Sequence, residues 1–131
     1  MEGDHEQGRR TVEDYWRALE RGDARGATDF LHDEFVEDWP QSRERIRGKE
    51  RWLQMATHHP TFPKVTLLRI RGSDDLWAAE CDFVYPGSED TWRICALCEM
   101  RDGKIVAITE YFGAPFEAAG WRSELVERVP G

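Results

Sequence analysis

No stretch of this 131-residue chain carries more than five consecutive apolar side chains; the longest runs are of four or five residues, as in Leu76–Ala79 and Ile94–Cys98. That excludes a helix able to span a membrane. The opening Met1-Glu2-Gly3-Asp4-His5-Glu6 is acidic and polar and lacks the apolar core of a secretory signal. Cysteine is scarce and odd in number, three in all, which suits a reduced cytoplasm better than a disulfide scaffold. A basic stripe is missing as well: 18 Lys+Arg face 26 Asp+Glu, a net charge of −8, which argues against nucleic acid and anionic membranes as partners. There is no Gly-rich phosphate loop, no Gly-x-Ser-x-Gly and no Ser/His/Asp set with usable context. What remains is the composition of one soluble globular domain, 40% hydrophobic and 34% charged. A chain of this length buries about two-thirds of its unfolded surface. Six Trp, six Phe and three Tyr imply an aromatic-rich interior.

Residues 1–10 show no apolar period and read as a flexible N-terminal tail, with a single domain over 11–131. From Thr11, a candidate cap, Val12, Tyr15, Trp16 and Leu19 form one helical stripe that Gly22 can end. Asp23 caps a second short helix, and a strand follows through Phe35–Pro40. Gln41–Gly48 reads as a polar loop in which Arg43, Arg45 and Arg47 alternate, their charges answered by Glu37, Glu44 and Glu50. A third helix over about Lys49–His58 buries Trp52, Leu53, Met55 and Ala56, and Pro60 prevents its continuation. Past Pro63 the period changes to alternation. Lys64–Arg71, Leu76–Tyr85, Thr91–Arg101 and Lys104–Phe112 read as strands joined by short turns, hence an antiparallel meander. The tail Ala114–Val129, with Phe116, Trp121, Leu125 and Val129, reads as partly helical and packed near whatever pocket the helices close. Cys95-Ala96-Leu97-Cys98 has chelate-like spacing, but within a strand its two thiols point to opposite faces. No metal site is expected.

Helix–helix–strand–helix–meander in this length resembles the NTF2-like superfamily, in its SnoaL-like branch. The residues that carry the resemblance are Asp14-Tyr15-Trp16 through Gly22-Asp23, Phe35-Val36-Glu37-Asp38-Trp39-Pro40 with Gly48, and Gly103-Lys104-Ile105-Val106 through Glu110-Tyr111-Phe112. It covers roughly Thr11 to Phe116. The resemblance implies an α+β NTF2-like cone, with three N-terminal helices packed on a strongly curved, mostly antiparallel sheet that curls around a pocket. It also implies a homodimer through the outer sheet face. The fold hosts isomerases, cyclases, epoxide hydrolases, dehydratases and plain binding proteins, so function has to be argued from the site.

In the ketosteroid isomerase branch a helix-1 tyrosine donates to a developing enolate and a strand aspartate moves the proton. Tyr15, in a Tyr-x7-Asp pattern ending at Asp23, matches the tyrosine, and Asp38 in Val36-Glu37-Asp38 matches the base. Tyr15 could equally be core, and Asp38 could sit in solvent or bond the arginine loop. The branch adds a protonated aspartate as second oxyanion donor, and Ala96 stands at that position here. Along the last strand Val106, Ile108, Glu110 and Phe112 share a face, so Glu110 either enters the pocket and shares a proton with Asp38 or pairs with Arg93 or Arg122. Trp16, Trp39, Trp52, Met55, Phe83, Trp92, Glu110 and Phe112 are the candidate ligand-binding residues. The expected activity is cofactor-free acid/base catalysis, of isomerase or cyclase type, on an apolar ketone-, polyketide- or steroid-like substrate. The alternatives are non-catalytic binding of an apolar small molecule and a dimeric interaction module.

Overall fold

A computed structural model describes the backbone of residues 2–130 and the side chains from Glu6 onward. Helix α1 (Glu2–Glu20) buries the expected stripe, with Val12 and Trp16 fully enclosed. Its solvent side carries Arg9–Glu13, Arg17–Glu13 and Arg17–Glu20 ion pairs. The helix does not start at Thr11, which is buried inside it, and residues 2–10 are helical where a flexible tail was expected. The reason is a contact that apolar periodicity cannot register. Gly8 is buried against Trp77, so close that a β-carbon there would lie 2.8 Å from the indole nitrogen.

After α1 come α2 (Ala24–Ala27), capped by the Asp23 carboxylate on the Gly26 N–H, and a 3-10 turn over Thr28–Phe30. Strand β1 (Leu31–Trp39) then enters the sheet. Its neighbour β2 (Glu44–Arg47) is a correction to the expected polar loop: Glu37 pairs with Ile46 and Asp38 with Arg45. With one apolar residue in four, β2 carries no alternation to read. Gly48, at φ +93°, turns the chain from β2 into α3 (Lys49–His58), while its N–H bonds the Phe35 carbonyl.

Four long strands follow: β3 (Lys64–Ser73), β4 (Leu76–Val84), β5 (Trp92–Arg101) and β6 (Lys104–Gly113). The six strands form one curved sheet in the order β2-β1-β6-β5-β4-β3, antiparallel except where β1 runs beside β6. The sheet is curved without the strong curl expected. Only α1 and α2 precede it, α3 entering between β2 and β3. A bulge near Leu68 lets Val65, Leu67 and Ile70 all face inward and leaves Leu68 54% exposed. The Glu20 carboxylate accepts the Leu67 N–H at that bulge (2.7 Å), fastening the end of α1 to β3. A second bulge, between Glu99 and Met100, buries Ile105 as well as Ile108, so Val106 does not share the inner face as expected.

The core lies between the helices and the inner sheet face, and one side of it stays open as a cavity. The segment after β6 does not help to close that cavity. Beyond a 3-10 turn at Gly120–Arg122 it has no regular structure among the described residues, and Phe116, Trp121, Leu125 and Val129 are each at least 80% exposed. Its expected packing at the pocket mouth is not found.

Candidate functional site

The cavity has a volume of about 460 Å³. Helix α1 contributes Tyr15, Trp16 and Leu19, and α3 contributes Trp52 and Met55. The connection after α3 adds His59, Phe62 and Pro63. From the sheet come Glu37 and Trp39 on β1, Phe83 and Tyr85 on or after β4, Trp92 on β5, and Glu110 and Phe112 on β6. All eight candidate ligand-binding residues therefore line it, together with Tyr15. The rings touch in series: Tyr15 against Trp16 at 5.2 Å between centroids and Trp52 at 5.9 Å, Trp16 against Phe83, Phe83 against Phe112 and Tyr85, and Tyr85 against Trp92. Such edge-to-face and tilted contacts hold aromatic walls in fixed orientation.

Two carboxyl groups interrupt this apolar lining. Glu37 is 2% and Glu110 6% exposed. The Trp39 indole N–H is shared between them, 2.8 Å from Glu37 Oε2 and 3.3 Å from Glu110 Oε1. Among the described residues no hydrogen-bond donor reaches Glu37 Oε1. Burial is the main cause that drives the Glu37 carboxyl well above the ordinary range, and the charge of Glu110 adds to it. Burial likewise lifts Glu110, to about 7, against the pull of hydrogen bonds from Trp39 and Glu37. The two acids form one unit that holds a proton at neutral pH. The Tyr15 phenol, fully buried beside them, is pushed well above its usual value by burial first and by the charges of Glu37 and Glu110 next, so it remains a neutral donor.

Asp38 is not in this site. Its side chain leaves the opposite face of β1, where Arg45 grips it in a two-pronged bond (Nε to Oδ1 2.6 Å, Nη2 to Oδ2 2.9 Å). That bond holds its carboxyl below the usual range. The expected Asp38–Tyr15 opposition across the cavity is therefore replaced by Glu37 and Tyr15. The difference is one of strand parity, for which the sequence carries a local signal. Phe35 and Trp39 bracket Glu37 at period two, so the apolar face of β1 carries Glu37 inward and Asp38 outward. Neither proposed arginine reaches Glu110. Arg93 bonds Asp82 at 2.7 Å, and Arg122 lies over the Trp121 ring. Ala96 pairs in register with Glu110, where its small side chain leaves room beside that acid.

Gln41 is a site residue that residue-type reasoning missed. Its amide accepts the Phe112 N–H and donates to the Phe112 carbonyl, both at 2.6 Å. It thus acts as a short extra strand that pins the end of β6 at the cavity mouth. Cys98 is buried on the inner side of β5 and Cys95 half-buried on the other, as strand alternation requires.

A SnoaL-like domain model matches residues 12–108. Among solved structures, an NTF2-like protein of unknown function from Burkholderia xenovorans LB400 is 36% identical, with 95% of this chain and 97% of that one covered and a TM-score of 0.84. A "putative ketosteroid isomerase" from Kribbella flavida shares 23% identity over 98% of this chain and 93% of its own, with a TM-score of 0.88. An LEH-like epoxide hydrolase from M. tuberculosis shares 22% identity over 82% of this chain and 84% of its own, with a TM-score of 0.70. Among proteins of curated function, none matches. The extent of the domain match and the 36% identity over nearly the whole length place this chain in the SnoaL-like family of the NTF2-like fold.

Proposed function

We propose that the protein catalyses proton transfer on a small, uncharged carbonyl compound, of isomerase or cyclase type, using its own side chains as acid and base. The observation that carries this reading is the Glu37–Glu110 pair sharing the Trp39 N–H in an apolar cavity beside Tyr15. With one proton on the pair, Glu37 is the acid and Glu110, lifted to about 7, is a base matched to neutral pH. The substrate carbonyl oxygen accepts from the Tyr15 hydroxyl and the Glu37 carboxyl. Glu110 removes the proton from the adjacent carbon and returns it to another carbon, or leaves the enolate to attack within the same molecule. A protonated Glu37 supplies the second oxyanion donor that Ala96 cannot. The isomerase description of the Kribbella relative and the polyketide cyclase description of another neighbour agree with this chemistry.

The test is hydrogen–deuterium exchange at the α-carbon of a β,γ-unsaturated ketone, followed by NMR in heavy water. Exchange should fall by about 10²–10⁴-fold in Glu110→Gln. Equal exchange in wild type and in that variant would sink the assignment. Simple retention of an apolar ligand is the competing reading, supported by the continuous aromatic lining.

A homodimer through the outer sheet face belongs to the same proposal. Leu68, Leu76 and Tyr111 are 44–54% exposed there, beside half-buried Leu97. A cytoplasmic setting suits the free thiols of Cys81, Cys95 and Cys98. No helix among the described residues is long and apolar enough to cross a membrane.

A further inference from the structure

The ion pairs of this molecule are distributed unevenly. On the outer sheet face three acids are each paired with an arginine: Asp38 with Arg45, Glu80 with Arg69, and Asp82 with Arg93. Inside the cavity two acids meet and the lining contains no lysine or arginine. A shared proton offsets part of their charge at neutral pH, and what remains has no basic side chain in the lining to balance it. Glu37 Oε1, buried and reached by no donor among the described residues, is an acceptor left open in that lining. The same lining carries the rings of Trp39, Trp52, Tyr85 and Trp92, and the electron-rich faces of such rings attract positive charge most strongly where water is excluded.

We propose that this cavity binds an organic cation, a protonated amine carried on an apolar body of one or two rings. The ammonium group sits against Glu37 and Glu110, donates to the open Glu37 oxygen, and takes the place of the missing basic side chain. The hydrocarbon body lies among the aromatic walls. The same arrangement rejects carboxylates and phosphates, which would meet two acids and no cation. The proposal rests on the cavity being the ligand site and does not require turnover.

Binding of a cation depends on the charge of the pair, so its pH dependence is set by the groups around that pair. Tyr15 faces it from α1, Cys81 and Tyr85 from β4 and its end, and Cys98 from β5. All four are pushed upward by burial and stay neutral through the acid range and neutrality. Trp39 and Trp52 do not titrate. His59 lies on the rim, stacked on Tyr85, with Nδ1 accepting the Thr61 N–H. The acids and His59 are therefore the groups to separate by mutation.

The test is isothermal titration calorimetry with three ligands of one skeleton: phenethylamine, 2-phenylethanol and phenylacetate. Amine and carboxylate keep their charges between about pH 5.5 and about pH 8. At the higher pH phenethylamine should bind roughly tenfold or more tightly than 2-phenylethanol, and phenylacetate weakest of all. The preference for the amine should shrink at the lower pH and vanish in the Glu37→Gln/Glu110→Gln double variant, which should still bind the alcohol. His59→Gln should retain the pH step. Equal or tighter binding of the alcohol at about pH 8, an amine preference that survives in the double variant, loss of the pH step in His59→Gln, or no binding of any of the three would each overturn the proposal. Amine preference without ketone exchange removes the proton-transfer reading alone, and ketone exchange without amine preference removes the cation proposal alone.

Discussion

A carboxylate enclosed by aromatic rings loses the water that stabilises its charge, and a second carboxylate beside it makes matters worse. Glu37 and Glu110 meet both conditions, and their folded-state values lie above the unfolded ones. The consequence for stability has a definite sign. Between the ordinary value near 4.5 and the folded value near 7 for Glu110, the native state holds more protons than the unfolded state. The pair's contribution is thus present at low pH and lost as pH rises through that window. One group moved over that interval amounts to about 3 kcal/mol. Glu110→Gln should therefore be the more stable protein at about pH 8, by a margin that narrows toward about pH 5, as urea unfolding at the two pH values will show. Asp38 behaves otherwise. It is a partly exposed ion pair with Arg45, and Asp38→Asn should cost less than about 1 kcal/mol and leave α-carbon exchange unchanged. A large loss of exchange in Asp38→Asn would restore it to the mechanism.

Among the elements, α1 and β2 differ most from what periodicity suggests. The first turns of α1 dock through Gly8 on Trp77, a contact made by the absence of a side chain. Gly8→Ala improves helix propensity by about 1 kcal/mol, yet it should lower the melting temperature, because the added methyl meets the indole inside a packed core. A rise in melting temperature would show that this end of the helix is not held by the contact. Gln41 makes a comparable long-range tie. Losing two hydrogen bonds to Phe112 in Gln41→Ala should cost about 1–3 kcal/mol and speed amide exchange at Phe112. These ties explain where sequence reading ended. Helix α3 and strands β3 to β6 carry strong periods, and their limits were legible to within about two residues. The polar β2, the glycine-docked start of α1 and the side-chain clamp of Gln41 carry no period at all. In β1 the alternation of Phe35, Glu37 and Trp39 is present in the sequence, and it turns Glu37 rather than the expected Asp38 toward the cavity. The aromatic walls were legible because each lies on a strongly periodic element.

At the scale of the whole molecule, the curved sheet and the helices leave a cavity, an outer sheet face and an unpacked C-terminal segment. Because Phe116, Trp121, Leu125 and Val129 are exposed, a chain ending after Ala114 should keep its melting temperature to within the change expected of about 0.5 kcal/mol. A larger loss would mean that the segment is buried against a partner. The proposed dimer through the outer face predicts a sedimenting mass of two chains that Tyr111→Arg brings down to the single-chain 15.3 kDa; a single-chain mass for the unaltered protein would contradict it. The proposed proton transfer depends on one feature, the acid pair that keeps a proton inside the cavity at neutral pH. The most direct measurement is a pH titration of the side-chain carboxyl carbons by NMR, with Glu37 and Glu110 assigned through their Gln variants. Two resonances that move together, with one apparent value near 7 and the other also above the ordinary carboxylate range, are the predicted result. Two independent titrations near the ordinary glutamate value, about 4.3, would contradict it.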